Sequence, residues 1–455
     1  MWKTVKYGRR VYHGLQKSVL QRRSFLSEAY RCQEAWNSRL QVPMLQKVKP
    51  DDLFITLDHK YTTTGKVSAL DLDIFANTVL EKFQVEELLS IVYNVRMTAE
   101  TSNTLESTHH AVIRFLLDHD CIEELINVLH DRLNYGIFPD HVSYNIMMDT
   151  FIKKNEYANA AKIAVLPMLQ EDCENPITNA LSIYCCHKLL EKPEDWPKPP
   201  VEKDNSKEQI KVRVSYLKNP YFDDHFDLTD PRDLIGKTLA FQGKFMDNAL
   251  GRTCQLRGLI LYKKYKNVSD LIKQWKKTAK DIVYEEVFNL IRKDNENLPE
   301  DQVTDEFKSV MSKLETLKVA SLCKDSLTQA LENNVKVALN KQSEIDIAEQ
   351  LKKYTEWHKE REVVFNKQLQ EVDKQTRIQN ISEIKKDLQE RERLLTFFEQ
   401  EEEIDLKIER KQKAEKDEMD RLFMNPVMKK KWEWLQKYGD LYRSSAMPKK
   451  PKAST

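Results

Sequence analysis

The chain has 455 residues, 32% of them charged, with nine glycines and a formal net charge of +1. So few glycines argue against a Gly-rich nucleotide-binding fold or a barrel enzyme, and so much charge argues for long, solvated helices in about three structural units. No apolar run reaches the roughly 18 residues that a membrane helix needs, so a soluble protein with no membrane span is expected.

The net charge hides an asymmetry. Residues 1–27 carry seven bases (Lys3, Lys6, Arg9, Arg10, Lys17, Arg22 and Arg23) and no acid. Arg-rich, Ser-containing and acid-free is the composition of a mitochondrial transit peptide; the alternative is a basic arm that stays on the chain and binds RNA. The first acid, Glu28, closely follows Arg-Arg-Ser-Phe, which places cleavage between Phe25 and Cys32. Residues 28–68 are read as an N-terminal extension. Residues 427–455 carry +6, so the remaining body is left at −12. Such a body does not attract nucleic acid generically, and RNA contact is expected through local patches.

Apolar spacing predicts helical hairpins at about 69–97, 107–134 and 142–171, with a further first helix at about 177–190. In the third, Gly136 can close the preceding helix in the left-handed conformation, Pro139 stops it, and Asp140 or Ser143 can cap the next. Tyr144, Met147, Met148 and Phe151 then share one face, and Tyr157, Ala161, Ala164 and Met168 form a facing stripe with small residues at its centre. The segment VEELLSIVYNVR, Val85 to Arg96, aligns without gaps on IEELINVLHDRL, Ile122 to Leu133, at an offset of 37. Recurrence near 35 residues is the mark of a helical solenoid, because one hairpin cannot bury its own apolar face.

Four prolines between Pro193 and Pro200 forbid a helix and separate two helical regions, so residues 191–230 are read as a Pro-rich linker with a basic loop. Over 231–298, a cap at Asp230, Pro231 at the first helical position and the apolar side of Leu234, Ile235, Leu239 and Phe241 predict a degenerate hairpin. Residues 299–426 are read as a long charged helix or coiled coil: Glu300 to Asn425 contains neither Pro nor Gly, and 35 of the 70 residues from Leu351 to Asp420 are charged. Ile381, Ile384, Leu388, Leu395 and Phe398 keep 3-4 spacing there, while Ile347, Leu351, Tyr354, Phe365, Leu369 and Val372 do so less regularly. Unbroken over 80 residues, such a helix would span on the order of 120 Å, and it can pair with itself, fold back or lie along a large assembly. The tail, 427–455, is basic and aromatic.

Enzyme signatures fail on inspection. Gly236, Lys237 and Thr238 imitate the end of a phosphate-binding loop, but Pro231 stands where the first glycine belongs and the segment reads as helix. Asp223, Asp224, His225 and Asp227 have no strand series around them to gather a two-metal nuclease site. His109 with His110, and His187 with Cys185 and Cys186, complete no tetrahedral ligand set. The seven cysteines show neither metal spacing nor a disulfide framework and are expected as reduced core thiols. No catalytic residue, metal, cofactor or small-molecule substrate is expected.

The run NYGIFPDHVSYNIMMDTFIKKNEYANAAK, Asn134 to Lys162, resembles the pentatricopeptide repeat, whose units of about 35 residues close with a Gly-Ile-x-Pro-Asp-like turn and open with a Tyr-Asn pair, here Tyr144 and Asn145. Through YGIFPD, YNIMMD and FIKK the chain also resembles the mitochondrial small-ribosomal-subunit protein twenty-seven family. The resemblance implies a non-catalytic component of the mitochondrial small ribosomal subunit, in the matrix, associated with small-subunit ribosomal RNA and other mitochondrial ribosomal proteins in support of translation.

Three patches are candidates for RNA contact. The first is Lys153, Lys154 and Lys162 on the third hairpin; there Asn145 holds the position that reads a base edge in sequence-specific members of the repeat family, with Asn175 at the matching last position. His110 and Ala180 stand at the Asn145 position of the flanking repeats, so a reading code is not sustained, and architectural binding is the favoured use. The second includes Lys211 and Arg213, with Lys207 and Lys218, after the linker. The third is Met428 to Arg443, where Lys429, Lys430, Lys431 and Lys437 alternate with Trp432, Trp434, Tyr438 and Tyr442; cations suit phosphates and aromatic faces suit unpaired bases, although the same residues suit docking on a protein neighbour. The expectation is an all-α protein, a pentatricopeptide-like hairpin solenoid followed by a long charged helix, acting as a structural ribosomal component. The alternative is a free organellar RNA-binding factor acting on a transcript or tRNA.

Overall fold

Side-chain caps fix the starts of five α-helices. Side chains of Ser68, Asp140, Asn175, Asp230 and Asn248 accept hydrogen bonds from backbone amides of the first turns they precede, satisfying donors that a helix leaves open at its N-terminus. A computed structural model describes residues 24–198, 223–278, 282–295, 305–317, 322–423, 429–431, 433, 434 and 437. Among these the protein is all-α; the sole extended pairing is an isolated parallel bridge between Tyr284 and Cys323.

Three helices open the chain: α1 (Gln33–Ser38), α2 (Pro43–Gln46) and α3 (Pro50–Thr64). Hairpins follow as α4 (Ala69–Thr78) with α5 (Val85–Arg96), α6 (Glu106–Asp118) with α7 (Ile122–His130), and α8 (His141–Lys154) with α9 (Tyr157–Leu169); α10 (Pro176–Leu189) begins a fourth unit. First helices pack on first helices, α4 on α6, α6 on α8 and α8 on α10, while α9 lies between α7 and α10. Tyr144, Met147, Met148, Phe151, Ala161, Ala164 and Met168 are all buried in the shared core.

The turns repeat a geometry that residue type conceals. Asp120, Asn155, Glu171 and Lys263 all have φ between 55° and 62°. After each, the next amide reaches back to a carbonyl five residues earlier: Cys121 to Leu116, Glu156 to Phe151 and Asp172 to Pro167 at 2.9 Å, and Lys264 to Leu259 at 3.0 Å. This is the Schellman closure, made here without glycine. Gly136 is left-handed as expected, at φ 63°, but it lies in the loop beyond α7 instead of closing it.

Beyond the linker, α11 (Pro231–Lys244) and α12 (Ala249–Leu261) form a hairpin with glycines at the crossing. A Cβ on Gly258 would sit 2.5 Å from the Ala240 nitrogen and the Gly236 carbonyl, so the backbones approach closer than any side chain allows. Helices α13 (Tyr265–Thr278), α14 (Glu286–Asn295) and α15 (Asp305–Leu317) gather a second core around Val268, Ile272, Phe288, Ile291 and Val310.

The expected single 80-residue helix is two: α16 (Leu327–Leu395) and α17 (Glu401–Phe423). The chain divides into units 1–365 and 366–455, and α16 contributes to both. Its part in the first unit is a core element, a correction to the solvated helix expected there: Leu327, Leu331, Val335, Ala338, Asp346, Gln350, Trp357 and Arg361 are buried along one stripe. In the second unit, every residue from Glu371 to Leu395 is exposed. All seven cysteines are free thiols, five of them buried.

A buried polar network ties α10, α12, α14 and α16 together. Arg257 holds Asp294 with both ends of its fork, at 2.7 and 2.9 Å, and also donates to His187 Nδ1 at 3.0 Å. Because arginine only donates, Nδ1 must be the unprotonated nitrogen, so Nε2 carries the proton and donates to Thr328 Oγ1 at 3.3 Å. Burial, and then the neighbouring Arg257, push the His187 pKa down to about 3. Residues 24–27, which composition places in the transit peptide, pack into the first unit: Leu26 is buried and the Phe25 ring meets Tyr184 edge-on at 5.1 Å.

Candidate nucleic-acid interface

The face formed by the first helices is where a reader of single bases would work, and here it is covered. Asn145 is fully buried. Its amide donates to the Tyr30 hydroxyl at 2.7 Å and its carbonyl accepts from Thr178 Oγ1 at 2.9 Å. Tyr30 in turn donates to Asp346 at 2.6 Å, and Asn175, which caps α10, donates to the same carboxylate at 3.0 Å. Burial and the Asp346 carboxylate push the Tyr30 phenol far above its ordinary value, so it stays a donor. Both members of the pair Asn145 and Asn175 thus have their partners inside the chain.

Neighbouring units are closed in the same manner. His110, at the Asn145 position one hairpin earlier, contacts Ser143 Oγ through Nδ1 and the Tyr354 hydroxyl through Nε2, each at 3.1 Å, with Trp36 and Trp357 against its ring. One hairpin further back the buried Asp73 accepts from Thr108 at 2.9 Å, from Asn77 at 3.1 Å and from Ser107, and pairs with Arg361 at 2.5 Å. Residues 346, 354 and 361 of α16 thus meet the cap of α10, α6 and α4 respectively. Tyr30, Asp346 and Arg361 escaped the sequence reading, and Tyr354 entered it only through an irregular apolar spacing. The available signal was the aromatic pair Tyr354 and Trp357 within a stretch otherwise dominated by charge.

The lysines of the same hairpin are also engaged. Lys153 lies 3.4 Å from both Glu28 and Asp149, Lys154 pairs with Asp120, and Lys162 is half-buried on α9. Lys211, Arg213 and Trp432 lie outside the described residues. In the second unit Lys429, Lys430, Lys431 and Lys437 are exposed and helical, and Trp434 is 50% exposed. Among the described residues the C-terminal segment carries exposed basic and aromatic side chains.

The enzyme-like motifs are accounted for by ordinary contacts. Thr238 donates to the Leu234 carbonyl within α11, and Lys237 donates to the Asp224 carbonyl. Asp224 pairs with Lys264 at 2.7 Å, and His225 Nε2 donates to the Leu169 carbonyl at 3.0 Å. Among the described residues, His141, Asp172 and Glu174 bring ligand atoms within 4.8 Å of one another; His141 and Asp172 form an ordinary surface pair at 3.5 Å. No helix of the described residues is long and apolar enough to cross a membrane. A family model described as "Mitochondrial 28S ribosomal protein S27" matches residues 1–390, from the first residue into α16.

Proposed function

The chain belongs to the mitochondrial 28S ribosomal protein S27 family, a small-subunit ribosomal protein of the mitochondrion, and from that premise we propose that it is an architectural subunit that meets ribosomal RNA through its basic C-terminal segment and not through its repeat face. The observation that carries this reading is the burial of Asn145 and Asn175 beneath Tyr30 and Asp346. Freeing them for a base would strip partners from several buried polar groups at about 1–3 kcal/mol each. The −12 body repels phosphate in general, so exposed Lys429, Lys430, Lys431 and Lys437 carry the attraction, and Trp434 offers a face on which an unpaired base can stack. Neighbouring ribosomal proteins are met by the exposed apolar residues of the second unit, among them Ile381, Ile384 and Leu388. The protein turns over no substrate.

Charge reversal of Lys429, Lys430 and Lys431 to Glu tests the reading. The variant should leave the small-subunit fraction when mitochondrial lysate is sedimented at high salt, whereas unchanged co-migration would make the C-terminal segment dispensable. A light fraction containing protein and RNA but no small subunit would favour a free RNA-binding factor instead.

A further inference from the structure

We propose that an arginine-directed endopeptidase cuts the chain at the Arg23–Ser24 bond, and that the α-ammonium so created on Ser24 pairs with the buried carboxylate of Asp149. The inference goes beyond the ribosomal reading and rests only on import into the mitochondrion. Composition alone places the cut between Phe25 and Cys32, but this segment is anchored in the fold by the buried Leu26 and Tyr30. Ser24 Oγ donates to Asp149 Oδ2 at 3.1 Å, and the backbone amides of Phe25 and Leu26 donate to Oδ1 at 2.7 and 3.1 Å. Leu26 and Tyr30 are buried, and Tyr30 closes onto Asp346. A cut after Phe25 would remove the Ser24 and Phe25 donors; one after Leu26 would remove all three. Asp149 is 1% exposed, and among the described residues Lys153 lies 3.4 Å from it, itself shared with Glu28. A charge that deep needs donors on all sides.

Before cleavage the Ser24 nitrogen is a neutral amide. Hydrolysis adds water across the bond: Arg23 leaves with the basic leader as a carboxylate, and the Ser24 nitrogen takes up a proton, its ordinary pKa being near 8. Only Cα and Cβ separate that nitrogen from the hydroxyl oxygen already touching Asp149, so the new cation appears beside the anion. Arg22 and Arg23 immediately precede the bond, which provides the basic recognition that such a peptidase needs. Processing thereby finishes the fold as well as removing the leader.

Two measurements test this. Mass spectrometry of the N-terminal peptide, on protein imported into isolated mitochondria, should find a free α-amine on Ser24; any other start, or retention of residues 1–23, overturns the proposal. Second, chains beginning at Ser24 are prepared with the α-amine free or acetylated. Acetylation should speed amide exchange at Phe25 and Leu26 about tenfold, the equivalent of one pK unit of interaction, and should change nothing in an Asp149→Asn background. Equal rates with Asp149 intact overturn the ion pair. Uncut protein recovered from small subunits would overturn this inference while leaving the family function standing.

Discussion

Helix α16 offers its own control. Its residues up to Phe365 and those from Asn366 onward are both rich in charge, yet the first part is threaded into a core and the second is exposed at every position from Glu371 to Leu395. The buried part is the less regular in apolar spacing: Asp346, Gln350 and Arg361 occupy its inner stripe beside Leu331, Val335 and Trp357. The exposed part carries the cleaner apolar rows, with Ile381 at 54%, Ile384 at 59% and Leu388 at 57% exposure. What buries a helix here is the availability of mates. Asp73, His110 and Asn175 sit where Arg361, Tyr354 and Asp346 can satisfy them, and a buried polar group with its partner in place costs little.

Three substitutions can break or sharpen that contrast. Arg361→Ala should have the largest effect, a loss of about 3–5 kcal/mol in chemical denaturation of the full chain, because it leaves the buried Asp73 carboxylate with neutral donors alone. A loss below about 1 kcal/mol would mean that the packed part of α16 is not held by this pair. Next in size is an acid effect at His187, whose Nε2 meets Thr328 at the start of α16. Its folded pKa of about 3 lies below the ordinary 6.5 or so, so the unfolded chain binds the extra proton between those values. The stability from neutral His187 is thus present above about pH 6.5 and falls as the pH drops towards 3, by up to about 1.4 kcal/mol per pH unit. His187→Gln should flatten that limb of the stability profile; a profile unchanged from the parent would show that His187 is not kept neutral. The smallest effect is expected from Leu388→Ser in the exposed part, within about 0.5 kcal/mol of the parent stability, together with weaker incorporation into small subunits. A large stability loss there would reveal that α16 already has a partner in the free protein, most simply a second copy.

The hairpins were legible because their apolar faces follow the 3.6-residue period and their starts carry Asp and Asn caps, as at Asp140 and Asn175. Family membership was legible for a related reason: the turn and the two helices around Tyr144 form a contiguous string of residues. The cover over the repeat face was not. It is assembled from Tyr30 and Asp346, 316 positions apart, and three of the eight buried α16 residues are polar or charged, so no apolar period announces it. Asn145 illustrates the remaining gap. An asparagine in that place has the same donors and acceptors whether it meets a base or a tyrosine, and only the neighbour decides its use. The segment from Ser24 to Ser27 was hidden differently, since its composition continues the basic leader while its contacts belong to the core.

The left-handed turns have an implication for redesign. Glycine is the usual occupant of such a bend, and exchanging Asp120 for it would relax the backbone. The same exchange would delete the carboxylate that Lys154 grips from the following hairpin. Relaxing one bend therefore unfastens a rung between neighbours, so attempts to harden this scaffold turn by turn would trade local ease against the registry of the stack, and Asn155, whose Oδ1 accepts from Tyr157 two residues on in the same hairpin, is the safer place to begin.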